Sequence, residues 1–275
     1  MQGRLLPPVD GGIQCFPRLN WAHEFAFAAQ ARLDSIEWIY DQFGADVNPI
    51  ATDEGIDSML ELSELHRVRV ASLCADYFMD LPLVRASGAE TDERLGVLLW
   101  LMDRCQRMAI ERIVLPFVDA SRIATDAEVD KVVEAITRAL RRAEVTGVEL
   151  HLETSLDPHR FAELLARLPS ELVMVNYDIG NSASLAYDPR EEFAAYGERV
   201  GSVHVKDRRK GGGTVPLGTG DADFPAVFDC LRALGYTGDF VLQVARGIPG
   251  DEVGWAVRNR ALFHYYLAGA AATGE

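Results

Sequence analysis

Residues 112–153 of the 275-residue chain read RIVLPFVDASRIATDAEVDKVVEAITRALRRAEVTGVELHLE. An apolar run opens this stretch and another closes it, and both have the length of a strand. Between them, Thr125 and Glu128 form the S/T-x-x-E pattern of a helix start, and apolar residues recur at helical spacing through Leu140. The stretch therefore predicts a strand, a helix and a strand in succession, which is the repeating unit of a parallel sheet.

The same unit recurs along the whole chain. Apolar or β-branched runs predict eight strands, near Gln2–Leu6, Ser35–Ile39, Arg69–Cys74, Arg112–Pro116, Val148–Glu153, Leu172–Asp178, Ser202–Lys206 and Phe240–Ala245. Helical patterns lie between them, without an interrupting linker. Eight strand–helix units predict one α/β domain over residues 1–275 with the (β/α)8 TIM-barrel fold. An open doubly wound sheet is the alternative, but the first strand–helix turn lacks the G-x-G-x-x-G pattern typical of dinucleotide-binding sheets.

The composition argues against several classes of function. The chain has 27 Lys+Arg against 42 Asp+Glu, a formal net charge of −15, whereas nucleic-acid binding requires clustered positive charge. No apolar run approaches the ~20 residues of a membrane span, and the N-terminus lacks a signal-peptide pattern. The four cysteines are far apart, with no C-x-x-C pair. We therefore expect a cytoplasmic protein with reduced thiols and no nucleic-acid or membrane partner.

Strand alternation assigns polar side chains to the barrel interior. In the strand that ends at Glu153, the face that carries Glu153 also carries His151, and the opposite face is wholly apolar. The same alternation turns Asp178, His204 and Gln243 inward on the three strands that follow. Active sites of such barrels lie at the carboxyl ends of the strands. The pattern therefore predicts a cluster of potential ligands at one mouth of the barrel.

Glu153, Asp178, His204 and Gln243 together form a mixed set of oxygen and nitrogen donors. Such a set suits one divalent metal ion, namely Mn²⁺, Mg²⁺, Co²⁺ or Zn²⁺. Two buried carboxylates close together would repel each other without a cation. The alternative is a hydrogen-bonded polar plug inside the barrel, without a metal.

Further polar residues at this mouth are expected to bind substrate. Glu37 and Asp76 are placed to contact hydroxyl groups, and a salt bridge or loop cap is the alternative for each. Lys206 and Arg208 belong to the one local concentration of positive charge, the stretch that begins at His204, and Arg246 is expected at the same mouth. Such a cluster suits a phosphate or an anionic sugar. A solvated flexible loop is the alternative interpretation of that positive segment.

Five short motifs resemble those of a known family. They are Ile36–Trp38 (IEW), His151–Glu153 (HLE), Tyr177–Asn181 (YDIGN), His204–Asp207 (HVKD) and Gly218–Phe224 (GTGDADF). In this combination the chain resembles the xylose-isomerase-like TIM-barrel superfamily. Within that superfamily it is most similar to the sugar-phosphate isomerase/epimerase branch, which includes L-xylulose-5-phosphate and tagatose 3-epimerase relatives.

The resemblance implies a metal-dependent sugar or sugar-phosphate isomerase or epimerase. Residues matching Glu153, Asp178 and His204 hold the metal in that family, and Glu153 matches the general base. Gln243 stands where the family has a second catalytic carboxylate; its amide oxygen can reach a metal but cannot accept a proton. A substitute acid is therefore needed for two-base epimerisation, and Asp76, His151 and Lys206 are the candidates.

The resemblance also implies a small-molecule sugar or sugar phosphate as the substrate, for which His151 is a further binding candidate, and a homo-oligomer, which is common among relatives. Two other functions fit the same residues. One is a lyase or dehydratase acting on a keto sugar or polyol through the same deprotonated species. The other is a sugar or metal binder without turnover. The superfamily's DNA-repair endonucleases fit poorly, because the chain is strongly acidic.

Overall fold

Seven parallel strands form the main sheet of the computed structural model, which describes residues 1–9 and 11–269. In chain order the strands are β1 (Ser35–Ile39), β2 (Arg69–Cys74), β3 (Arg112–Phe117), β4 (Glu149–Thr154), β5 (Val173–Asp178), β6 (Val200–Val205), β7 (Asp207–Arg208), β8 (Thr214–Val215) and β9 (Asp239–Leu242). The order in the main sheet is β1-β2-β3-β4-β5-β6-β9, and β7 pairs only with β8, in antiparallel fashion.

Helices occupy the connections between the parallel strands. They are α1 (His23–Gln30), α2 (Asp53–His66), α3 (Tyr77–Asp80), α4 (Ala89–Met108), α5 (Asp126–Thr146), α6 (Pro158–Ala166), α7 (Ile179–Leu185), α8 (Pro189–Tyr196), α9 (Phe224–Ala233) and α10 (Glu252–Leu267). Short 3₁₀ turns occur at Pro49–Ala51, Leu83–Arg85, Asp119–Ser121 and Gly197–Arg199. No helix among the described residues is both long and apolar enough to cross a membrane.

The N-terminal segment closes the barrel between β9 and β1. The backbone N–H of Gln2 donates to the carbonyl oxygen of Leu242 at 3.2 Å, and the N–H of Glu37 donates to the carbonyl oxygen of Met1 at 3.0 Å. Gln2 thereby forms a parallel bridge with Glu37. Seven strands and this bridge confirm the predicted α/β barrel. The predicted domain runs to residue 275, and its residues 270–275 lie outside the described part.

The predicted strand Gln2–Leu6 is wrong beyond its first residue. Gly3 has a φ of +50°, which side-chain-bearing residues rarely adopt, and a Cβ there would lie 2.2 Å from the Ile39 side chain. The chain therefore turns out of the sheet at Gly3. Pro7 and Pro8 follow and have no N–H group with which to extend a ladder.

Helix α5 confirms the helix predicted from its N-terminal capping pattern. The Oγ1 of Thr125 accepts a hydrogen bond from the N–H of Glu128 at 3.3 Å, and a carboxylate oxygen of Glu128 accepts one from the N–H of Thr125 at 3.2 Å. The helix ends at Gly147, whose φ of +70° suits a residue without a Cβ. Val132 and Ile136, on the predicted apolar stripe, are fully buried.

The side chains of β4 show how the barrel separates its apolar and polar layers. Leu150 and Leu152 are fully buried in the apolar core shared with the helices. His151 and Glu153, on the opposite face, are also buried but lie inside the barrel. The alternation predicted for this strand is therefore confirmed, and it brings polar groups into the barrel interior.

The Glu24 carboxyl group on α1 gives the fold a predicted pH dependence. Glu24 is 2% exposed, and its Oε1 has no hydrogen-bond partner in the described part of the chain. Burial raises the pKa of this group from 4.5 to about 7, although the N-terminal ammonium group opposes the rise. From pH 4.5 to 7 the folded chain therefore holds a proton that the unfolded chain releases, so this group lowers stability as pH rises through that window.

We expect Glu24→Gln to remove up to about 3 kcal/mol of this pH-dependent loss, because each pKa unit corresponds to about 1.4 kcal/mol. Urea unfolding at pH 5 and pH 8 would measure the free energy of unfolding of each protein. Glu54→Gln, on the exposed surface of α2, is the matched control. If Glu24→Gln and wild type lose the same stability between the two pH values, Glu24 is not the source.

Candidate metal centre

Three potential metal ligands meet where β4, β5 and β6 end. Glu153, Asp178 and His204 are all buried, and each offers a ligand atom within 4.8 Å of the others. The Nδ1 of His204 lies 3.2 Å from Oε2 of Glu153 and 3.8 Å from Oδ2 of Asp178. Asp178 and His204 are register partners across β5 and β6, which places them at one level of the barrel. The predicted cluster of these three residues is thus present.

Two asparagines fix the carboxylates of this cluster. The side-chain amide of Asn176 donates to Oε2 of Glu153 at 2.8 Å, and that of Asn181 donates to Oε1 at 2.6 Å. The backbone N–H of Asn181 donates to Oδ1 of Asp178 at 2.8 Å, which caps helix α7. Sequence reasoning assigned no site role to either asparagine. The inward position of Asn176 and the YDIGN motif were the available signals.

Glu37 holds the far side of the His204 ring. Its Oε1 lies 2.8 Å from Nε2 of His204, and its Oε2 accepts a hydrogen bond from the Ser72 hydroxyl at 2.7 Å. Glu37 was predicted to contact substrate. In the structure it contacts His204 instead and does not line the cavity. A carboxylate on one ring nitrogen leaves the other nitrogen oriented toward a metal position.

The Nδ1 of His204 is a buried polar atom that has no hydrogen-bond partner among the residues the structure describes. It faces two carboxylates that are themselves held in place, so the three donors fit a divalent cation that prefers mixed oxygen and nitrogen ligands. Asp178 and Glu153 would supply the oxygen ligands and His204 the nitrogen ligand.

The charges of the cluster shift the pKa values of its members. Burial disfavours a charged His204, but Glu37 and the contacts with Asp178 and Glu153 outweigh burial and hold the pKa of the imidazole well above its usual value. For Asp178, burial is likewise outweighed, chiefly by the Lys206 ammonium group and by His204, so its pKa is lowered. The cluster thus favours positive charge at its centre.

The side-chain oxygen of Gln243, predicted to be a metal ligand, accepts a hydrogen bond from Lys206 in the structure. The Lys206 Nζ donates to Oε1 of Gln243 at 2.5 Å and to Oδ2 of Asp178 at 3.0 Å. An amide oxygen has two lone pairs, so Gln243 Oε1 keeps one acceptor position besides its hydrogen bond from Lys206. Its role as a fourth ligand therefore stays a prediction, and the Lys206 ammonium group lies beside the cluster of Glu153, Asp178 and His204.

A cavity of about 690 Å³ opens above the cluster at the carboxyl ends of the strands. Among the predicted site residues, the cavity is lined by Glu153, Asp76, Lys206, Arg208 and Gln243. Its wall also includes residues of the segment after the N-terminal bridge, namely Val9, Gly12, Ile13, Gln14, Cys15, Phe16 and Arg18. No local sequence pattern pointed to this segment, because its position depends on contacts with distant strands.

Arg208 and Asp76 lie in the cavity wall, each with its own partners. Arg208 donates to the carbonyl oxygen of Gly212 at 3.0 and 2.9 Å and to the side-chain oxygen of Asn181 at 2.8 Å. Asp76 accepts hydrogen bonds from Gln14, at 2.6 Å, and from the Cys74 thiol, at 3.2 Å. Both positions are consistent with the predicted substrate contacts, which remain predictions.

His151 and Arg246 do not line the cavity. The ring nitrogens of His151 lie 2.7 Å from the Ser202 hydroxyl and 2.8 Å from a Glu149 carboxylate oxygen, and its side chain is fully buried. The Arg246 guanidinium group donates to the carbonyl oxygens of Gly3, Leu6 and Ile13, at 2.8, 2.5 and 3.0 Å. It thereby anchors the N-terminal segment. The structure thus gives both residues structural contacts in place of the predicted contacts with substrate.

Comparisons with known proteins agree with this geometry. A family model described as "Xylose isomerase-like TIM barrel" matches residues 25–260. The L-ribulose-5-phosphate 3-epimerase UlaE of Salmonella paratyphi A is 25% identical over 226 residues, which cover 78% of this chain and 73% of the relative.

Solved structures share the fold. An L-ribulose 3-epimerase matches with a TM-score of 0.76 and 17% identity, over 100% of this chain and 98% of the other. A xylose isomerase-like TIM barrel protein from Mycobacterium smegmatis, in complex with magnesium, matches with a TM-score of 0.68 and 17% identity. The match covers 97% of this chain and 94% of the other. At such identities the structural likeness shows the fold alone.

We expect Lys206→Met to tighten Mn²⁺ binding by tenfold or more. The substitution removes a positive charge from beside Asp178 and frees the oxygen of Gln243. Isothermal titration calorimetry of the metal-free proteins would measure the Mn²⁺ dissociation constants. Lys206→Arg keeps the charge and is the control. Unchanged or weaker binding by Lys206→Met would contradict the arrangement described for Lys206.

Proposed function

Because the chain belongs to the xylose isomerase-like TIM-barrel family, we propose that it is a metal-dependent sugar epimerase or isomerase. The observation that carries the proposal is the Nδ1 of His204, which faces the carboxylates of Glu153 and Asp178 inside the barrel and has no hydrogen-bond partner within residues 1–9 and 11–269. The names of the relatives, which include L-ribulose-5-phosphate 3-epimerase and L-ribulose 3-epimerase, support the same reaction class.

The proposed metal is one divalent ion held by Glu153, Asp178 and His204. When bound, such an ion supplies Lewis acidity to a carbonyl and an adjacent hydroxyl group, which makes the C–H bond at the neighbouring carbon more acidic. A neighbour in the family is solved with magnesium, and the donor set suits Mn²⁺, Co²⁺ and Zn²⁺ as well.

Glu153 is the proposed general base. It lines the cavity, and its carboxylate is held by hydrogen bonds from Asn176 and Asn181, which limit its rotation. A base held in a fixed direction removes the proton from one face of a substrate carbon, and that carbon becomes planar. Delivery of a proton to the opposite face of the same carbon gives an epimer, whereas delivery to the adjacent carbon gives an isomer.

The proposed substrate is a small keto sugar or its phosphate. Carboxylates of the cavity wall, Asp41 and Asp76, can accept hydrogen bonds from hydroxyl groups. Lys206 and Arg208 bring positive charge to the opposite part of the wall, which suits an oxyanion or a phosphate group. Such a substrate fits a cavity of about 690 Å³.

We expect the Mn²⁺-loaded enzyme to incorporate solvent deuterium into a keto sugar, and Glu153→Gln to lower that rate by 10²–10⁴-fold or more, since the amide cannot accept a proton. Incubation with L-ribulose, L-ribulose 5-phosphate and D-fructose in D₂O, followed by NMR, would measure deuterium at the reacting carbon.

The matched control is Glu163→Gln, on the exposed face of α6, which should keep the wild-type rate. The Mn²⁺ content of each variant is measured in parallel to separate loss of the base from loss of the metal. Normal turnover by a metal-loaded Glu153→Gln enzyme would exclude Glu153 as the base. An unsaturated or shortened product would instead indicate a lyase.

A further inference from the structure

Inversion at one carbon needs a second proton-transfer group, and this requirement rests on the proposed function. Glu153 removes a proton from one face of the carbon, and an acid must return one to the other face. Gln243, at the end of β9, has no acidic proton, and its amide oxygen accepts a hydrogen bond from Lys206. The acid must therefore come from another side chain that reaches the cavity.

Two other titratable side chains near the site, His151 and Lys206, are held by hydrogen bonds to protein groups. His151 is fully buried outside the cavity wall, against Ser202 and Glu149. The Lys206 ammonium group is held between Asp178 and Gln243.

The other aspartates that the structure describes in the cavity wall differ from Asp76. Each carboxylate oxygen of Asp41 accepts a hydrogen bond from a backbone N–H, that of Phe16 or of Gly44, both at 2.7 Å, so Asp41 holds two backbone segments together. Asp80 and Asp119 lie at the exposed rim. Among the buried carboxyl groups that the structure describes in the cavity wall, Asp76 is then the one left besides Glu153 whose partners are side chains only.

The position of Asp76 is fixed from two sides. Gln14 donates to its Oδ2 at 2.6 Å, and the Cys74 thiol lies 3.2 Å from its Oδ1. The side-chain oxygen of Gln14 accepts from Arg4 at 3.3 Å, and Arg4 donates in turn to the carbonyl oxygen of Val244 at 2.6 Å. This chain of hydrogen bonds links Asp76, after β2, to the residue that follows Gln243.

Asp76 and Glu153 reach the same cavity from two different strands of the sheet. Asp76 follows β2 and Glu153 lies in β4, and β3 between them contributes Pro116, which has no titratable side chain, to the cavity wall. A substrate anchored at the ends of β4, β5 and β6 would contact Glu153 in the cavity that Asp76 also lines.

We propose that Asp76 is the second proton-transfer group, which returns a proton to the carbon face opposite Glu153. Glu153 takes the proton of the C–H bond, and the electron pair of that bond passes into the planar intermediate. The Asp76 O–H bond then breaks as a new C–H bond forms, which leaves an Asp76 carboxylate and a protonated Glu153. Exchange with water in the cavity restores both groups, and the reverse reaction uses them in the opposite order.

The environment of Asp76 suits this role. Burial raises the pKa of its carboxyl group to about 6, with a smaller rise from Glu37 and Asp41, although the hydrogen bonds from Gln14 and Cys74 oppose it. The group therefore carries a proton in more molecules near neutral pH than an ordinary aspartate does, which favours its action as an acid.

The test separates the two proton transfers. Mn²⁺-loaded wild type, Asp76→Asn and Asp57→Asn are incubated in D₂O with L-ribulose and with L-ribulose 5-phosphate. Asp57→Asn, on the exposed surface of α2 and outside the cavity wall, is the matched control. NMR then measures deuterium in the recovered sugar and formation of the inverted product.

We expect Asp76→Asn to form the inverted product at least 100-fold more slowly, while the starting sugar still exchanges its hydrogen at the reacting carbon. Asp57→Asn should match wild type. Asp76→Ser, a smaller replacement, is tested in the same way in case the asparagine variant does not fold. Wild-type inversion rates in both Asp76 variants would overturn the inference, as would loss of exchange together with inversion. No exchange by wild type would overturn the proposed function itself.

Discussion

The carboxylates of Glu37, Glu153 and Asp178 are buried around one imidazole, that of His204, and their mutual repulsion governs the site. Like charges in a medium of low dielectric constant are tolerated only beside positive charge. The Lys206 ammonium group supplies one such charge. A divalent cation bound at His204 Nδ1 would balance the rest of the negative charge of the three carboxylates, and the imidazole would then be neutral. The same constraint therefore accounts for the orientation of His204 and for the position of Lys206.

The strand register of the barrel brings these groups close together, and neighbouring side chains satisfy their hydrogen-bonding groups. Parallel strands in register bring residues of β5 and β6 to one level, and the asparagines at positions 176 and 181 satisfy the Glu153 oxygens. The N-terminal segment then closes the ring and supplies one wall of the cavity. Arg246 anchors that segment through three backbone carbonyl groups. Its positive charge thus stabilises the fold, although its sequence position near the mouth suggested a contact with substrate.

Alternation along the strands predicted the direction of the site residues but not their depth. It correctly brought Glu153, Asp178 and His204 together, because a period of two fixes which face a side chain occupies. Glu37 and His151 also point inward, yet neither lines the cavity. How far a side chain lies from the mouth of the barrel depends on the register between neighbouring strands. The sequence of one strand alone does not determine that register. The hydrogen bond from Lys206 to Gln243 could not be predicted from local sequence patterns either, because it joins residues that follow two separate strands of the barrel.

The central claim is that one divalent ion binds between Glu153, Asp178 and His204. The most direct measurement is an anomalous difference map from a crystal of the protein soaked in Mn²⁺. We predict a single strong peak within about 2.0–2.3 Å of a carboxylate oxygen of Glu153, a carboxylate oxygen of Asp178 and Nδ1 of His204. A map without a peak at these three atoms, under conditions in which Mn²⁺ saturates the protein in solution, would contradict the claim.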